Sequence, residues 1–269
     1  MFNTDAKIIQ RMAPLLQRVM IVDPQPAGAR LISELMRDIA RSQICVAETE
    51  AKALRLTASF EPQVIFAEHG STPVDGVAFT RNLRRSHLPC RYAPVIIVTG
   101  QATAAGILEA RDAGVHEFLR KPFTLKDLLR RLEAVTLRPR DWVEAVCYVG
   151  PDRRRFNSGD YTGALKRRSD ARATPDSERL AQALKILRSA IVAVGSDPVQ
   201  AMRSMQAQVT DLRKCGMSVA DLKLTTSAID FGRHLDQIER KGAPYDGEEL
   251  AAKAAPLLAY MPQEEAVAA

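Results

Sequence analysis

Four side chains of complementary chemistry follow short apolar runs along this chain. Asp23 and Glu68 each end a run of β-branched and other apolar residues, Thr99 ends a third run, and Lys121 stands just after a fourth and before a proline. Phosphoryl transfer depends mainly on positioning and on electrostatic stabilisation, and two carboxylates, a hydroxyl and an ammonium group are suited to both. The sequence therefore predicts a phosphoryl-handling site if these four side chains meet in the fold.

The elements that would bring these side chains together are apolar runs that alternate with helical patterns. The runs are residues 19–22, 44–47, 64–67, 95–98 and 117–119. Five strands alternating with five helices predict right-handed crossovers and an α/β fold with a five-stranded, doubly wound parallel sheet. In such sheets ligands bind outside the carboxyl ends of the strands, where the four side chains fall. We expect the apolar positions of the helices, among them Leu31, Leu35, Ile39, Ile107 and Leu108, to face the core.

Residues 18–137 resemble the response-regulator receiver domain of bacterial two-component signalling. The motifs that carry the resemblance are Ile21-Val22-Asp23, Val74-Asp75-Gly76, Val98-Thr99-Gly100 and Lys121-Pro122-Phe123, together with residues 62–68 and 113–120. Asp23 and Glu68 are 45 residues apart, and Glu68 and Lys121 are 53 apart, similar to the family pattern. The resemblance implies an acceptor at Glu68, a metal ligand at Asp23, a phosphoryl-binding hydroxyl at Thr99, a switch aromatic at Phe118 and a cis bond before Pro122.

Two positions depart from the family pattern. The family places an aspartate where Glu68 stands and a second acid where Pro24 follows Asp23. Magnesium prefers near-octahedral oxygen ligands, and a shift of order 1 Å can slow phosphoryl transfer about a hundredfold. We therefore expect no cofactor, a magnesium site on Asp23 and Glu68 that is weak or absent, and no stable phosphorylation of Glu68. A longer acid that reaches Lys121 fits either a permanently active-like receiver or a rigid scaffold.

The length of 269 residues allows two domains. We predict an N-terminal amphipathic helix at 1–17, the receiver-like domain at 18–137, a basic, aromatic-containing arm at 138–173, a helical bundle at 174–262 and a tail at 263–269. No apolar run approaches the length of about 18 residues that a membrane span needs. The four cysteines are far apart and form no CxxC pair, which favours a reducing cytoplasm over a zinc site or disulfide framework.

The predicted arm is unusually basic. Between residues 138 and 173 there are nine Lys or Arg against five Asp or Glu, which accounts for most of the net charge of +6. We expect an extended arm that Trp142, Tyr148 and Phe156 anchor to a domain. Arginine forks suit phosphates and purine faces, and the candidate ligand-binding or partner-binding residues are Arg153, Arg154, Arg155, Arg167 and Arg168. The open alternatives are a solvated linker, an anionic ligand such as a cyclic dinucleotide, and an acidic protein or RNA.

Capping residues, prolines and glycines predict four helices joined by short loops after residue 174. Short loops favour an antiparallel bundle. The remaining apolar faces of the bundle could form a homodimer. Val199 and Leu222 count among the apolar positions of the second and third helices. The turn at 215–218 could belong to a helix-turn-helix, but the balanced charge of the helix after it does not favour DNA binding. His234 lacks the flanking pattern of a histidine phosphotransfer site, which favours a surface histidine.

These features together predict an atypical response regulator of bacterial two-component signal transduction. We expect it to have no enzymatic activity and to act through contacts with a signalling partner, with a docking face at about residues 102–132. The alternative is a regulator that binds an anionic ligand, such as a cyclic dinucleotide, or nucleic acid through the arginine-rich arm.

Overall fold

The computed structural model describes residues 2–153, 175–242 and 245–261. These residues form two compact units. The first, here called the receiver unit, contains residues 2–143 and 148–153. The second, the bundle unit, contains residues 144–147 together with the described residues from 175 onward. Among the described residues, no helix is both long enough and apolar enough to cross a membrane.

The receiver unit contains a mixed sheet flanked by helices. Its strands are β1 (Arg18–Val22), β2 (Gln43–Ala47), β3 (Val64–Ser71), β4 (Val74–Asp75), β5 (Val95–Thr99) and β6 (Glu117–Arg120), and its helices are α1 (Phe2–Met12), α2 (Pro26–Ala40), α3 (Glu50–Phe60), α4 (Gly76–Arg85), α5 (Ala104–Asp112) and α6 (Leu125–Thr136). Five strands pair in parallel in the order β2-β1-β3-β5-β6, while β4 pairs antiparallel to β3. The predicted five-stranded, doubly wound parallel sheet is confirmed.

The central strands are apolar because both of their faces are covered, as is usual for parallel sheets. Alternate residues of β3 point to opposite sides: Phe66 joins a core that includes residues of α2 and α6, whereas Ile65 joins a core that includes residues of α3 and α4. Helix α1 adds Met12 to the first of these cores. The predicted N-terminal amphipathic helix thus packs on the receiver unit.

Some predicted helix faces were wrong. Leu31 of α2 is 50% exposed, and in α5 Ile107 and Leu108 are 45% and 50% exposed. The residue of α5 that reaches the core is the small Ala110. Helix α5 carries apolar residues on more than one side, so its periodicity alone does not identify the buried face.

A two-stranded ribbon follows the last receiver helix, where the sequence predicted an extended arm. Strands β7 (Trp142–Glu144) and β8 (Val149–Pro151) pair with each other. The Trp142 ring packs edge-on against the Tyr92 ring, with 4.9 Å between the ring centres. The buried Arg84 guanidinium lies 5.2 Å from the Trp142 ring centre. The ribbon strands were missed because glycine and proline residues around them are typical of irregular structure. Phe156, the third predicted anchor, lies outside the described residues.

Arg84 is an almost fully buried cation in the receiver unit. Its guanidinium donates to the backbone carbonyls of Gly114 and Ala93, each at 3.0 Å, and to that of Arg91. Burial is the main cause that lowers the pKa of Arg84 to about 9. The carbonyl oxygens supply the hydrogen bonds that a buried charge requires.

The bundle unit contains α7 (Pro175–Val192), α8 (Pro198–Ser218), α9 (Leu222–Lys241) and α10 (Gly247–Leu258). Consecutive helices pack against each other, and α10 also packs on α7. The side chains of Asp197, Asp221 and Asp246 accept backbone N–H bonds at the starts of the last three helices. Val199 and Leu222, which were predicted to lie on apolar faces, are exposed. Each lies in the first turn of its helix.

Candidate functional site

The predicted chemical residues converge at one edge of the parallel sheet. Asp23 follows β1, Glu68 lies within β3, Thr99 ends β5 and Lys121 follows β6. Parallel strands place their carboxyl ends at the same edge, so the four side chains approach one another despite their distance in sequence. Strand β3 differs from the prediction because it continues past Glu68 to Ser71 and pairs there with β4.

Both carboxylate oxygens of Glu68 have partners. The Lys121 ammonium contacts Glu68 Oε2 directly, and Ser71 Oγ donates to Glu68 Oε1 at 3.2 Å. The Glu68 side chain is 4% exposed, whereas that of Lys121 is 30% exposed. The acceptor-position carboxylate is therefore held from two sides, by an ammonium group and by a hydroxyl.

Asp23 forms the second carboxylate of the site. Its Oδ1 accepts a hydrogen bond from the Gln25 backbone N–H at 2.8 Å. Its Oδ2 is buried and accepts no hydrogen bond, although Lys121 Nζ lies 3.8 Å away. The single lysine thus faces two buried carboxylates, and the cluster of three side chains carries a formal charge of −1.

Gly28 makes room for this cluster, and Gly70 supplies a positive φ in the same strand as Glu68. A Cβ at Gly28, in the first turns of α2, would lie 2.5 Å from Asp23 Oδ2, closer than real Cβ atoms come. Gly70 has a φ of +102°, and a Cβ there would lie 3.5 Å from Thr99 Oγ1. Sequence reasoning missed Gly28, Gly70 and Ser71. A glycine early in a predicted helix was the one available signal, because glycine disfavours helix interiors unless packing requires it.

Thr99 and Phe118, the other two predicted site residues, lie close to the cluster along the sheet but make different contacts. The buried Thr99 hydroxyl accepts a hydrogen bond from the Gln101 backbone N–H at 3.0 Å. The half-buried Phe118 packs against the core on the α3 and α4 side of the sheet. Thr99 therefore fixes the loop after β5, and Phe118 is turned partly inward.

The β3–β4 hairpin next to Glu68 is fixed by a polar group of its own. Asp75 Oδ1 accepts from the N–H groups of Val77 and Ala78 at the start of α4, and His69 Nδ1 lies 3.1 Å from it. Burial alone would raise the pKa of Asp75, but these N–H donors and His69 outweigh burial and lower it. Glu68 thus lies on a strand whose far end is tied to α4.

Of the predicted arginine-rich ligand site, only Arg153 is described. Its guanidinium forms an ion pair with Asp112 at 2.8 Å and lies 3.6 Å from the centre of the Tyr148 ring. These contacts within the receiver unit give Arg153 a structural role. Arg154, Arg155, Arg167 and Arg168 lie outside the described residues.

His234 is less exposed than the sequence indicated. Its side chain is 14% exposed, and its Nε2 lies 3.5 Å from Glu249 Oε1, beyond ordinary hydrogen-bond distance. The expected surface histidine is therefore mostly buried between α9 and α10. Among the described residues, no three His, Cys, Asp or Glu side chains are grouped so that they could hold a metal ion.

Comparison with known proteins identifies the part of the chain that carries this site. A family model described as the response regulator receiver domain matches residues 19–133. The transcriptional regulatory protein KdpE of Mycobacterium tuberculosis is 28% identical over 120 residues, which cover 45% of this chain and 51% of KdpE. The chemotaxis protein CheY-3 of Vibrio cholerae is 25% identical over 118 residues, which cover 44% of this chain and 90% of CheY-3. The chain thus spans about half the length of KdpE.

Solved receiver structures give alignments of similar extent. The chemotaxis protein CheY4 of Vibrio cholerae aligns with a TM-score of 0.41 and 21% identity, over 45% of this chain and 98% of that protein. The receiver domain of the sensor histidine kinase PA1611 of Pseudomonas aeruginosa, with magnesium coordinated in its cleft, aligns with a TM-score of 0.40 and 23% identity. That alignment covers 44% of this chain and 94% of the PA1611 domain.

Proposed function

We propose that this chain is an atypical response regulator that signals through protein contacts without phosphorylation. The proposal starts from the match of residues 19–133 to the response regulator receiver domain. The observation that supports the proposal is the engagement of Glu68 by Lys121 and Ser71. The chain itself supplies the anionic group that Lys121 contacts.

The chemistry at Glu68 supports this reading. An acceptor carboxylate must present an oxygen in line with the phosphoryl donor, and transfer rates fall steeply with misplacement. One oxygen of Glu68 contacts the Lys121 ammonium, and the other accepts from Ser71. The carboxylate is also nearly buried. Attack on a donor would require one of these oxygens to give up its partner, which opposes phosphorylation at this position.

The same contacts bear on the magnesium ion that receiver domains hold. Asp23 Oδ2 is a buried oxygen without a hydrogen bond, as a metal ligand would be, but Lys121 Nζ lies 3.8 Å from it. Pro24 supplies no carboxylate where a second acid would be needed. Magnesium demands near-octahedral oxygen coordination. One available carboxylate oxygen beside an ammonium group does not fit such a site, so we propose that this receiver functions without magnesium.

The proposed output is partner docking on the face formed by α5 and α6. Ile107 and Leu108 of α5 are 45% and 50% exposed, and Leu125 at the start of α6 is 50% exposed. All three lie within residues 102–132, where the docking face was predicted. Exposed apolar side chains that form a contiguous patch indicate protein–protein contact sites, and we propose that these three side chains form one. A signalling protein with a complementary apolar surface is the partner that this face would accept.

The first experiment tests phosphorylation directly. The wild-type protein is incubated with acetyl phosphate and Mg²⁺, and its intact mass is measured, alongside Glu68→Asp as a matched control. We expect no added phosphoryl mass on the wild type and weak labelling of Glu68→Asp, whose shorter side chain frees it from Lys121. Magnesium-dependent labelling of the wild type at Glu68 would refute the proposal.

The second experiment tests the docking face. Ile107→Ser/Leu108→Ser is compared with Val192→Ser, a substitution of an exposed apolar residue in the bundle unit. Surface substitutions of this kind typically change stability by less than about 0.5 kcal/mol. Partners captured by the wild-type protein and by Val192→Ser should be lost from the double variant. Retention of every partner by the double variant would place the docking face elsewhere.

A further inference from the structure

A cavity of about 550 Å³ opens on the surface of the bundle unit. Its lining comes from the second half of α7, from the turn between α7 and α8 and from the segment after α10, and includes Lys185, Arg188, Ser189, Ala193, Ser196 and Met261. Cavities that hold ligands usually measure about 300–1,000 Å³. This one is therefore large enough for a ligand or a short peptide segment.

The charged groups of this cavity are basic. Lys185 and Arg188 are three positions apart, so they share one face of α7. Among the described residues that line the cavity, none is acidic. Ser189 and Ser196 add hydroxyl groups. Ammonium and guanidinium groups form strong charge-assisted hydrogen bonds with carboxylates. The lining thus favours an occupant that carries about two negative charges.

The chain itself carries a segment of that charge next to the cavity. Residues 262–269 lie outside the described residues, and their sequence contains two acids, Glu264 and Glu265, and no basic residue. Met261, which precedes them, lines the cavity and packs against the bundle core, and its N–H donates to the Leu258 carbonyl at 3.0 Å. Three residues of chain span at most about 11 Å. Glu264 is therefore within reach of the cavity.

We propose that residues 262–265 dock in this cavity of their own chain, with the carboxylates of Glu264 and Glu265 paired to Lys185 and Arg188. The two acids match the two cations in number. A segment joined covalently to Met261 is present at a high effective concentration, which an unattached acidic peptide lacks. Pro262 restricts the backbone and so reduces the entropy lost on docking. The docked segment would close the basic cavity to other anions, independently of the function proposed for the receiver unit.

Carbodiimide cross-linking of the full-length protein tests the pairing directly. The reagent activates a carboxylate, which then forms an amide with an amine in contact with it. We expect an amide between Lys185 and Glu264 or Glu265 in the monomer, identified by mass spectrometry of the digested protein. Lys185→Arg keeps the positive charge and should lose this cross-link. Absence of the cross-link from the wild type would overturn the proposal, and so would a cross-link found only in dimers, because a second copy would then fill the cavity.

Cleavage by a glutamyl endopeptidase measures how firmly the segment is docked. When docking is fast relative to cleavage, the rate of cutting after Glu264 and Glu265 follows the undocked population. Lys185→Ala/Arg188→Ala removes both ion pairs, so this cleavage should become about fivefold faster. Lys241→Ala, at an exposed lysine of α9, is the control and should be cut at the wild-type rate.

The pattern of cleavage distinguishes docking from a general loss of stability. Faster cutting of the double variant should be confined to Glu264 and Glu265, and Lys185→Arg should be cut like the wild type. Equal acceleration at Glu239, within α9, would show that the two cations only stabilise the bundle, and would overturn the proposal. An unchanged rate in the double variant would overturn it as well.

Discussion

Replacement of Lys121 by alanine is the most direct test of how this site is held together. The substitution removes the ammonium group that contacts Glu68 and lies 3.8 Å from Asp23 Oδ2. Both carboxylates stay nearly buried, at 4% and 3% exposure. Lys121→Ala therefore leaves two like charges close together without their counterion, and we expect it to destabilise the receiver unit.

The structure sets the scale of this effect. Loss of one partner of a fully buried ion pair costs about 3–5 kcal/mol. Two unit charges 3.8 Å apart attract by about 4 kcal/mol at an effective dielectric constant of about 20. The Lys121 side chain is 30% exposed, so water screens part of this attraction. We therefore expect Lys121→Ala to lower the free energy of unfolding by about 2–3 kcal/mol. Glu68→Gln should cost less, because the amide still accepts a hydrogen bond from Lys121.

Urea denaturation, monitored by tryptophan fluorescence, measures the loss of unfolding free energy. Trp142 is the only tryptophan in the chain and lies in the receiver unit. With a urea dependence of about 2 kcal/mol/M, the unfolding midpoint of Lys121→Ala should fall by about 1 M or more. Lys126→Ala, which replaces an exposed lysine of α6, serves as the control and should stay within about 0.5 kcal/mol of the wild type. If Lys121→Ala behaves like this control, the lysine is solvated and the proposed role of Glu68 fails.

Two further substitutions test the surroundings of the site. Gly28→Ala should destabilise the receiver unit by about 1–3 kcal/mol in the same urea assay, because the new Cβ would meet Asp23 Oδ2. Alanine ordinarily stabilises helices relative to glycine, so a gain in stability would contradict the crowding at this position. Gly100→Ala, which has open space, is the control. Burial, followed by nearby arginines, holds the pKa of His116 well below its ordinary value. As the pH falls through about 6.5, His116 is therefore protonated in the unfolded chain but not in the folded protein. This difference should lower the free energy of unfolding by about 1 kcal/mol between pH 6.5 and 5.5. His116→Asn should flatten that slope, and equal slopes in wild type and His116→Asn would refute the assignment.

The sheet could be predicted from sequence because its strands are buried on both faces. A run such as residues 64–67 has to be apolar throughout, and this separates it clearly from the amphipathic helices on either side. The end of β3 could not be predicted in the same way. Its last residues, from His69 to Ser71, are polar or small, and they are extended because β4 pairs with them. Pairing of that kind is a tertiary effect without a periodic signal.

The charged residues of the site could be predicted, but the residues that support them could not. Asp23, Glu68 and Lys121 each follow or end an apolar run of the sequence, so topology alone brings them together. Ser71 reaches Glu68 only because β3 runs on past the acceptor position. Gly28 matters through the atom it lacks, which makes room for Asp23. Neither role is visible until neighbouring elements are placed.

The ribbon after α6 shows a different limit of prediction from sequence. Trp142 and Tyr148 stood out in sequence because aromatic residues are rare in plain linkers. The surface that receives Trp142 includes the buried Arg84, and arginine is not a residue type that a sequence pattern predicts to be buried. A buried arginine depends on carbonyl oxygens from separate loops. Such a site arises from three-dimensional arrangement and leaves no local pattern.

The contacts of Glu68 indicate that regulation of this protein takes place elsewhere than at the acceptor position. In a receiver that is switched by phosphorylation, the lysine and hydroxyl respond to an incoming phosphoryl group. Here Lys121 already contacts a carboxylate of the chain itself. A ligand can shift an equilibrium only through a difference in its affinity for two states. Under the proposed function, the state of this protein would then be set where such a difference can arise, by a partner on the α5 and α6 face.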